Sequence, residues 1–222
     1  MAPVRGRSAN SCAASRIAST ETASDWRVGR RRRLPRSFYR RDARDVAPEL
    51  LNKVLVHDAL VARIIEVEAY AGSEDPGSHA YRGPTARNAT MFGPPGHLYV
   101  YFTYGMHHCA NVVCGDEGVA TAVLLRALAP IEGLVEMRAR RLRARIDERD
   151  LCSGPGKVCQ ALALDRAFDG ADLVRGDRGL WIADDGIVPP DDPGVSTRVG
   201  LSAGADLPWR FYLPGEPGLS RR

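Results

Sequence analysis

Lysine is nearly absent from the chain. Of 31 basic side chains in 222 residues, only Lys53 and Lys157 are lysines, so chemistry that runs through an imine on a lysine amine has two positions to start from. Cysteine is also scarce. Five residues, an odd number with no CxxC pair, make no dense disulfide framework, and a reducing compartment is the expectation. No apolar run approaches the roughly 18 to 20 residues that cross a bilayer, and the first residues lack the apolar stretch of a secretory signal. A soluble, intracellular protein with no membrane partner is expected. The hydrophobic fraction of 44% is enough for one packed core, and no internal repeat divides the chain.

The net charge of +4 conceals an asymmetry. Through Arg44 there are twelve arginines against three acids, which leaves residues 45–222 at −5. Residues 1–36 are rich in Ser, Ala and Arg, end in "RRRRLPR", and hold too few large apolar residues to bury a core. They are expected to be a disordered basic arm. Three readings of the arm stay open: a nonspecific DNA-contacting tail, a transit-type targeting peptide, and an unselected extension. Because the rest of the chain is acidic, binding to nucleic acid must rest on local basic patches.

From residue 37 the chain reads as folded. "DVAPELLNKVLVHD" suggests a short helix from Pro48 to Asn52 feeding a strand, and "LVARIIEVEAY" (60–70) a longer strand paired to it across a turn at Asp58 and Ala59. Residues 71–97 form a long Gly, Pro, Ser and Asn loop, a length that in compact domains tends to carry function. Strands resume at "HLYVYFTYG", "ANVVCG" and "VATAVLLRAL". "PIEGLVEMRARRLRAR" predicts a helix with Pro130 in its first turn, acids early and arginines late, and "SGPGKVCQALAL" opens a second helix. After Asp169 the pattern is strand and loop around "TRVG" and "WRFYL".

Several stretches carry chemistry. Glu66 and Glu68 share one face of an apolar strand, where a carboxylate is costly unless it is paired or used. One of them is expected to answer an arginine, Arg63 or Arg126, and the other is a candidate general base. Arg126, inside "AVLLRALAP", is hard to explain as surface decoration. "SGPGK" places Gly156 and Lys157 where a helix start could meet phosphate or could simply be capped; it is not a P-loop, because Val158 follows the lysine. "HHCANVVC" invites a zinc reading from His107, His108, Cys109 and Cys114, against the alternative of small buried cysteines in a strand. "YVYFTYGMHH" packs three tyrosines and a phenylalanine before Gly105. Alternation sets Tyr99 and Tyr101 on one face and Tyr104 on the other.

Taken in order, "EVEAYAGSEDPGSHAYRG", "RNATMFGPPGHLYVYFTYGMHHCANVV", "AVLLRALAP", "LCSGPGKVCQALA" and "TRVG…WRFYL" resemble the alkyladenine (3-methyladenine, methylpurine) DNA glycosylases of base excision repair, from Phe38 to Ser220. The resemblance implies a single-domain mixed α/β fold over 37–222, with a curved, mostly antiparallel sheet, flanking helices and a protruding β-hairpin. It also implies a monomer that binds double-stranded DNA, flips a damaged purine out of the stack, cuts its N-glycosyl bond, and leaves an abasic site to downstream repair enzymes. By the same resemblance Glu68 is the base that activates water, Arg126 and the backbone carbonyl of Val199 help to hold that water, and Glu66 is structural. Tyr70 and Tyr101 are pocket walls, His79 contacts the flipped nucleotide, Asn111 excludes the 2-amino group of guanine, and Tyr104 is the intercalating wedge. Tyr99 is left to the core. Gly156, Lys157 and Arg198 are candidate phosphate contacts.

No metal or organic cofactor is expected. With no lysine in the constellation, the glycosylase is expected to be monofunctional. The sequence departs from the family pattern at "RGPTARNATMF", where Pro is expected after Thr85, and at Asn52, where Gly is usual. Two rivals stand beside this reading: a carbohydrate hydrolase pairing Glu66 or Glu68 with Glu74 or Asp75, and a protein that binds damaged DNA without cutting it.

Overall fold

The computed structural model describes residues 1, 31–103, 105–141 and 146–220. Among the described residues nine strands, β1 (Arg32–Arg33), β2 (Val54–His57), β3 (Leu60–Tyr70), β4 (Leu98–Thr103), β5 (His107–Cys114), β6 (Thr121–Glu132), β7 (Leu180–Asp184), β8 (Gly194–Ser196) and β9 (Arg210–Tyr212), form one antiparallel sheet in the order β1-β7-β2-β3-β6-β5-β4, with a β8–β9 pair joined to β3. The sheet curls into a half-barrel with a few helices packed against it, a single-domain mixed α/β fold.

β2 (Val54–His57) and β3 (Leu60–Tyr70) pair across the expected turn, Asp58 adopting φ 51°. The helix before them differs from expectation. α2 spans Ala43–Leu50 rather than starting at Pro48, because Asp42 caps it by accepting from the Arg44 N–H. Its Ala43, Val46, Ala47 and Leu50 make the buried stripe of an amphipathic helix. Asn52, at φ 67°, takes the left-handed conformation usually given to glycine and turns the chain into β2.

The segment at Pro130 is corrected as well. β6 (Thr121–Glu132) runs through Pro130 as a strand, and α3 (Leu134–Arg140) begins only after Gly133. A Cβ at Gly133 would lie 2.3 Å from the Leu60 side chain, so the turn out of β6 requires glycine. The last residues of the predicted helix, 142–145, lie outside the described residues.

Between these elements come α1 (Arg36–Tyr39), β4 (Leu98–Thr103) and β5 (His107–Cys114). After α3 follow α4 (Pro155–Ala161), β7 (Leu180–Asp184), β8 (Gly194–Ser196) and β9 (Arg210–Tyr212). β1, Arg32–Arg33, pairs with β7, and Leu34 is buried in the core. The end of the predicted basic arm is therefore part of the sheet; residues 2–30 lie outside the described residues. Among the described residues no helix is long and apolar enough to cross a membrane.

Period-two alternation gives the sheet two different faces. Val67, Ala69, Val100, Val112, Val123 and Leu125 enter the main core, together with buried residues of α2 and α4. The opposite face carries Glu66, Glu68, Tyr70, Tyr99, Tyr101, Asn111 and Arg126. On it Tyr99, Met91, Ala80, Val113 and Ala122 make a small second cluster.

Candidate active site

Two register shifts bring the charged groups together. The β3–β6 ladder passes from Ile64↔Leu128 to Glu66↔Ala127 and then to Val67↔Leu125, leaving first Ile65 and then Arg126 without a partner residue. Bulges of this kind re-aim a side chain. Here the bulged Arg126 meets both glutamates, Nε 2.9 Å from Glu66 Oε1 and one terminal nitrogen 3.1 Å from Glu68 Oε1. Arg63 answers neither, since its guanidinium pairs with Asp185 at 2.7 Å.

The two carboxylates, both fully buried, differ in how their oxygens are used. Glu66 Oε1 receives Arg126, Arg210 Nε at 2.7 Å and the Ser220 hydroxyl at 2.7 Å, while its Oε2 takes the Ser220 N–H at 2.6 Å. Burial opposes its ionisation, but the Ser220 donors and the two arginines outweigh burial and hold its pKa below the usual carboxylate value. Glu68 Oε1 accepts from the Val199 N–H at 2.7 Å and from Arg126, and its Oε2 receives the Tyr70 hydroxyl at 2.9 Å. The contact made by Val199 is thus through its amide. Arg126 stays charged: burial works against it, but the charges of Glu68 and Glu66 prevail and raise its pKa.

Tyr70 leads from the carboxylates to a pocket of about 60 Å³ lined by Tyr70, His79, Met91, Tyr99, Tyr101, Asn111, Leu201 and the backbone of Gly77. Four residues that the resemblance assigns to the base pocket, Tyr70, His79, Tyr101 and Asn111, are therefore together. Tyr99, buried in the second cluster as expected, also reaches the pocket wall: it stacks beside Tyr101 with ring centroids 5.4 Å apart, and its hydroxyl lies 3.2 Å from His79 Nδ1. His79 stands edge-on to Tyr101 at 4.4 Å. Burial, then the charge of Arg87, lowers the His79 pKa, which keeps the ring neutral near pH 7. Asn111, in register with Tyr99 on one side and Leu124 on the other, donates its Nδ2 to the Tyr99 carbonyl at 3.3 Å. Burial raises the pKa values of Tyr70 and Tyr101, and takes Tyr99 to about 12, so all three keep their hydroxyl protons.

Arg198, expected at a phosphate, turns inward. Its guanidinium is fully buried, holds Asp75 by two contacts of 2.5 and 2.7 Å, and lies 4.6 Å from the Tyr70 ring centroid and 5.1 Å from that of Trp209. Asp75 is thereby occupied, and Glu74 is exposed with only a 3.8 Å contact to Arg44. Neither acid of the paired-carboxylate rival is poised beside Glu68. Gly156 and Lys157 stand apart from the pocket, Gly156 beside the turn end of the β4–β5 hairpin. Gly156 packs against the His107 ring, and Lys157 donates to Ser153 Oγ at 2.8 Å. Along β5, Cys109 falls on the pocket side and Cys114 in the core, so the two cannot share a metal ion. Tyr104, the expected wedge, lies outside the described residues, between Thr103 and the exposed Met106.

Sequence reasoning missed Leu201, Arg210 and Ser220, and the part that Tyr99 plays in the pocket lining beside Tyr101. Ser220 had no local signal.

Residues 37–217 match the methylpurine-DNA glycosylase family. A protein of Burkholderia lata, provisionally named 3-methyladenine DNA glycosylase, is 56% identical over 188 residues, covering 84% of this chain and 90% of its own. Relatives with the same name are 52% identical in Streptomyces avermitilis (84% and 90% covered) and 50% identical in Carboxydothermus hydrogenoformans (85% and 99% covered).

Proposed function

Because the chain belongs to the methylpurine-DNA glycosylase family, enzymes that hydrolyse N-glycosyl bonds in DNA, we propose that it flips damaged purines out of the duplex and releases them with a water activated by Glu68. The observation that carries this reading is the unequal use of two adjacent buried carboxylates. Glu66 is enclosed by four hydrogen bonds from Ser220, Arg126 and Arg210. Glu68 adjoins the aromatic pocket through Tyr70, and its Oε2 has a single protein partner among the described residues.

In the proposed step a water gives its proton to Glu68 while its oxygen bonds to the sugar C1′. The bond from C1′ to the purine nitrogen breaks, and its electron pair leaves with the base. An N-alkylated purine is cationic and departs neutral, without an added proton. A general base contributes roughly two to four orders of magnitude in rate. Arg126 and the Val199 N–H, both on Glu68 Oε1, fix the orientation of the side chain.

Taking a base out of the stack costs a few kcal/mol, least for a lesion. Stacking on an aromatic face returns roughly 1–3 kcal/mol per base. Tyr70 and Tyr101 are the proposed faces, with Tyr104 filling the vacated space from the hairpin. If the Tyr99 hydroxyl donates to His79 Nδ1, the neutral imidazole offers Nε2–H to the flipped nucleotide. Asn111, held by the Tyr99 carbonyl, crowds the 2-amino group of guanine. Gly156 and Lys157 are the proposed backbone contacts. The enzyme acts as a monomer, and its product is an abasic site for downstream repair.

The test is release of free base from dimethyl-sulfate-treated duplex and from duplex oligonucleotides carrying hypoxanthine or ethenoadenine, by wild type and Glu68→Gln at matched DNA binding. Loss of release with binding kept is expected. Intact release in the variant would move the base elsewhere, and no release by wild type on any lesion would leave the binding-only reading.

A further inference from the structure

Ser220 lies beyond the residues matched to the family, yet it sits in the innermost charged cluster. Its backbone N–H donates to Glu66 Oε2 at 2.6 Å. Its hydroxyl donates to Glu66 Oε1 at 2.7 Å and accepts from Arg126 Nε at 3.3 Å and from a terminal Arg126 nitrogen at 2.9 Å. The other terminal nitrogen reaches Glu68. A single hydroxyl therefore links the enclosed carboxylate to the arginine that contacts the proposed base.

The segment bearing it is anchored. The Leu213 N–H donates to the Ile65 carbonyl at 3.0 Å, on the bulged residue of β3. A Cβ at Gly218 would press on the Arg149 carbonyl and the Ile65 side chain, each 3.2 Å away, and Leu219 packs against the core. The chain end is thus tied to the same bulge that aims the charged groups, and the hydroxyl reaches its partners from a fixed backbone.

We propose that Ser220 is a positioning residue for base release, acting through Arg126. Of the three Arg126 nitrogens, one faces Glu66, one Glu68, and the third has the Ser220 hydroxyl as its nearest acceptor. Removing that acceptor leaves a buried guanidinium N–H without its partner. The guanidinium then turns about its Glu66 contact, and its hold on Glu68 loosens. Because Ser220 touches no part of the pocket, DNA binding is preserved. This inference rests on the reading of Glu68 as the base.

The experiment compares single-turnover release of methylpurine from dimethyl-sulfate-treated duplex, duplex Kd and thermal midpoint for wild type, Ser220→Ala, Ser220→Thr, Arg126→Ala, the Ser220→Ala/Arg126→Ala double variant and Glu68→Gln. Ser220→Ala should slow release about tenfold or more, the scale of a misplaced catalytic geometry, with Kd within about twofold. Ser220→Thr, which keeps the hydroxyl, should recover most of the rate. In the Arg126→Ala background the serine change should cost nothing further, because the two act as a unit. Equal rates for Ser220→Ala and wild type, additive losses in the double variant, or a parallel loss of binding and stability would each overturn the proposal. If Glu68→Gln releases base at the wild-type rate, the reading beneath it fails instead, whatever the serine variants do.

Discussion

Arg198 and Asp75 form a two-contact ion pair in which both side chains are fully buried, joining the loop after β8 to the loop after β3. The arginine also lies between the rings of Tyr70 and Trp209. Removing one partner leaves the other charge buried and uncompensated, a loss of about 3–5 kcal/mol in comparable sites. Asp75→Asn and Arg198→Met should each lower the urea midpoint strongly, and the double variant should lose less than the two singles together. Losses below about 1 kcal/mol would mean that the pair is open to water.

Gly77 is the place where these loops touch the pocket. A Cβ there would lie 2.9 Å from an Arg198 nitrogen, 2.9 Å from Leu201 and 3.0 Å from the Ala203 carbonyl. The backbone carbonyl cannot yield as a side-chain tip can. Gly77→Ala should displace the 198–203 stretch, and with it the Val199 amide on Glu68. Base release is expected to fall about tenfold or more while the protein stays folded by circular dichroism. Unchanged release would show that the loop re-seats freely.

The His79 imidazole is held neutral by burial and, secondarily, by the Arg87 charge. Arg87→Ala removes the second cause and leaves the first. An NMR titration of His79 should give a value below 6.5 in wild type and a higher one in the variant, still short of the usual value because burial persists. Release that needs neutral His79 should then begin to fail at a higher pH in the variant than in wild type. An unmoved titration would mean that Arg87 is too well solvated to be felt.

Much of this site was legible wherever a two-residue period carried the information. β3 runs over the stretch that the sequence marks, the turn at Asp58 and Ala59 is where expected, and Glu66, Glu68 and Tyr70 share a face because their parity says so. What escaped was non-local. Nothing near Arg126 announces a bulge, and Ser220 meets Glu66 across 154 residues of chain. Pro130 misled for a local reason: proline is favoured in a first helical turn but is also tolerated where a ladder is irregular, and the shift between Val61 and Ala62 provides that irregularity. β7 has alternation of its own in "LWIAD", but only the pairing with β1 and β2 reveals its place inside the sheet. The inward turn of Arg198, a candidate phosphate contact by sequence, escapes because no local feature points to the Asp75 that pairs with it.

The pH dependence of stability follows from Glu66. Its pKa in the folded protein lies below the ordinary value of 4.5, because the Ser220 donors, Arg210 and Arg126 together outweigh the penalty of burial. The unfolded chain therefore takes up a proton at a higher pH than the folded one, and the stabilisation is complete above about 4.5 and lost as pH falls through the folded value. Asp172 and Asp185, each held low by an arginine despite burial, act in the same direction. Thermal midpoints should ease downward below about pH 6.5, where the unfolded His79 takes up a proton before the buried one does, and fall more steeply below about 4.5, where Glu66 and the aspartates act. Glu66→Gln should be less stable at neutral pH, since Arg126 and Arg210 lose the charge between them, but its decline on acidification should be shallower. A variant with the same acid slope as wild type would place the titration in the aspartates instead.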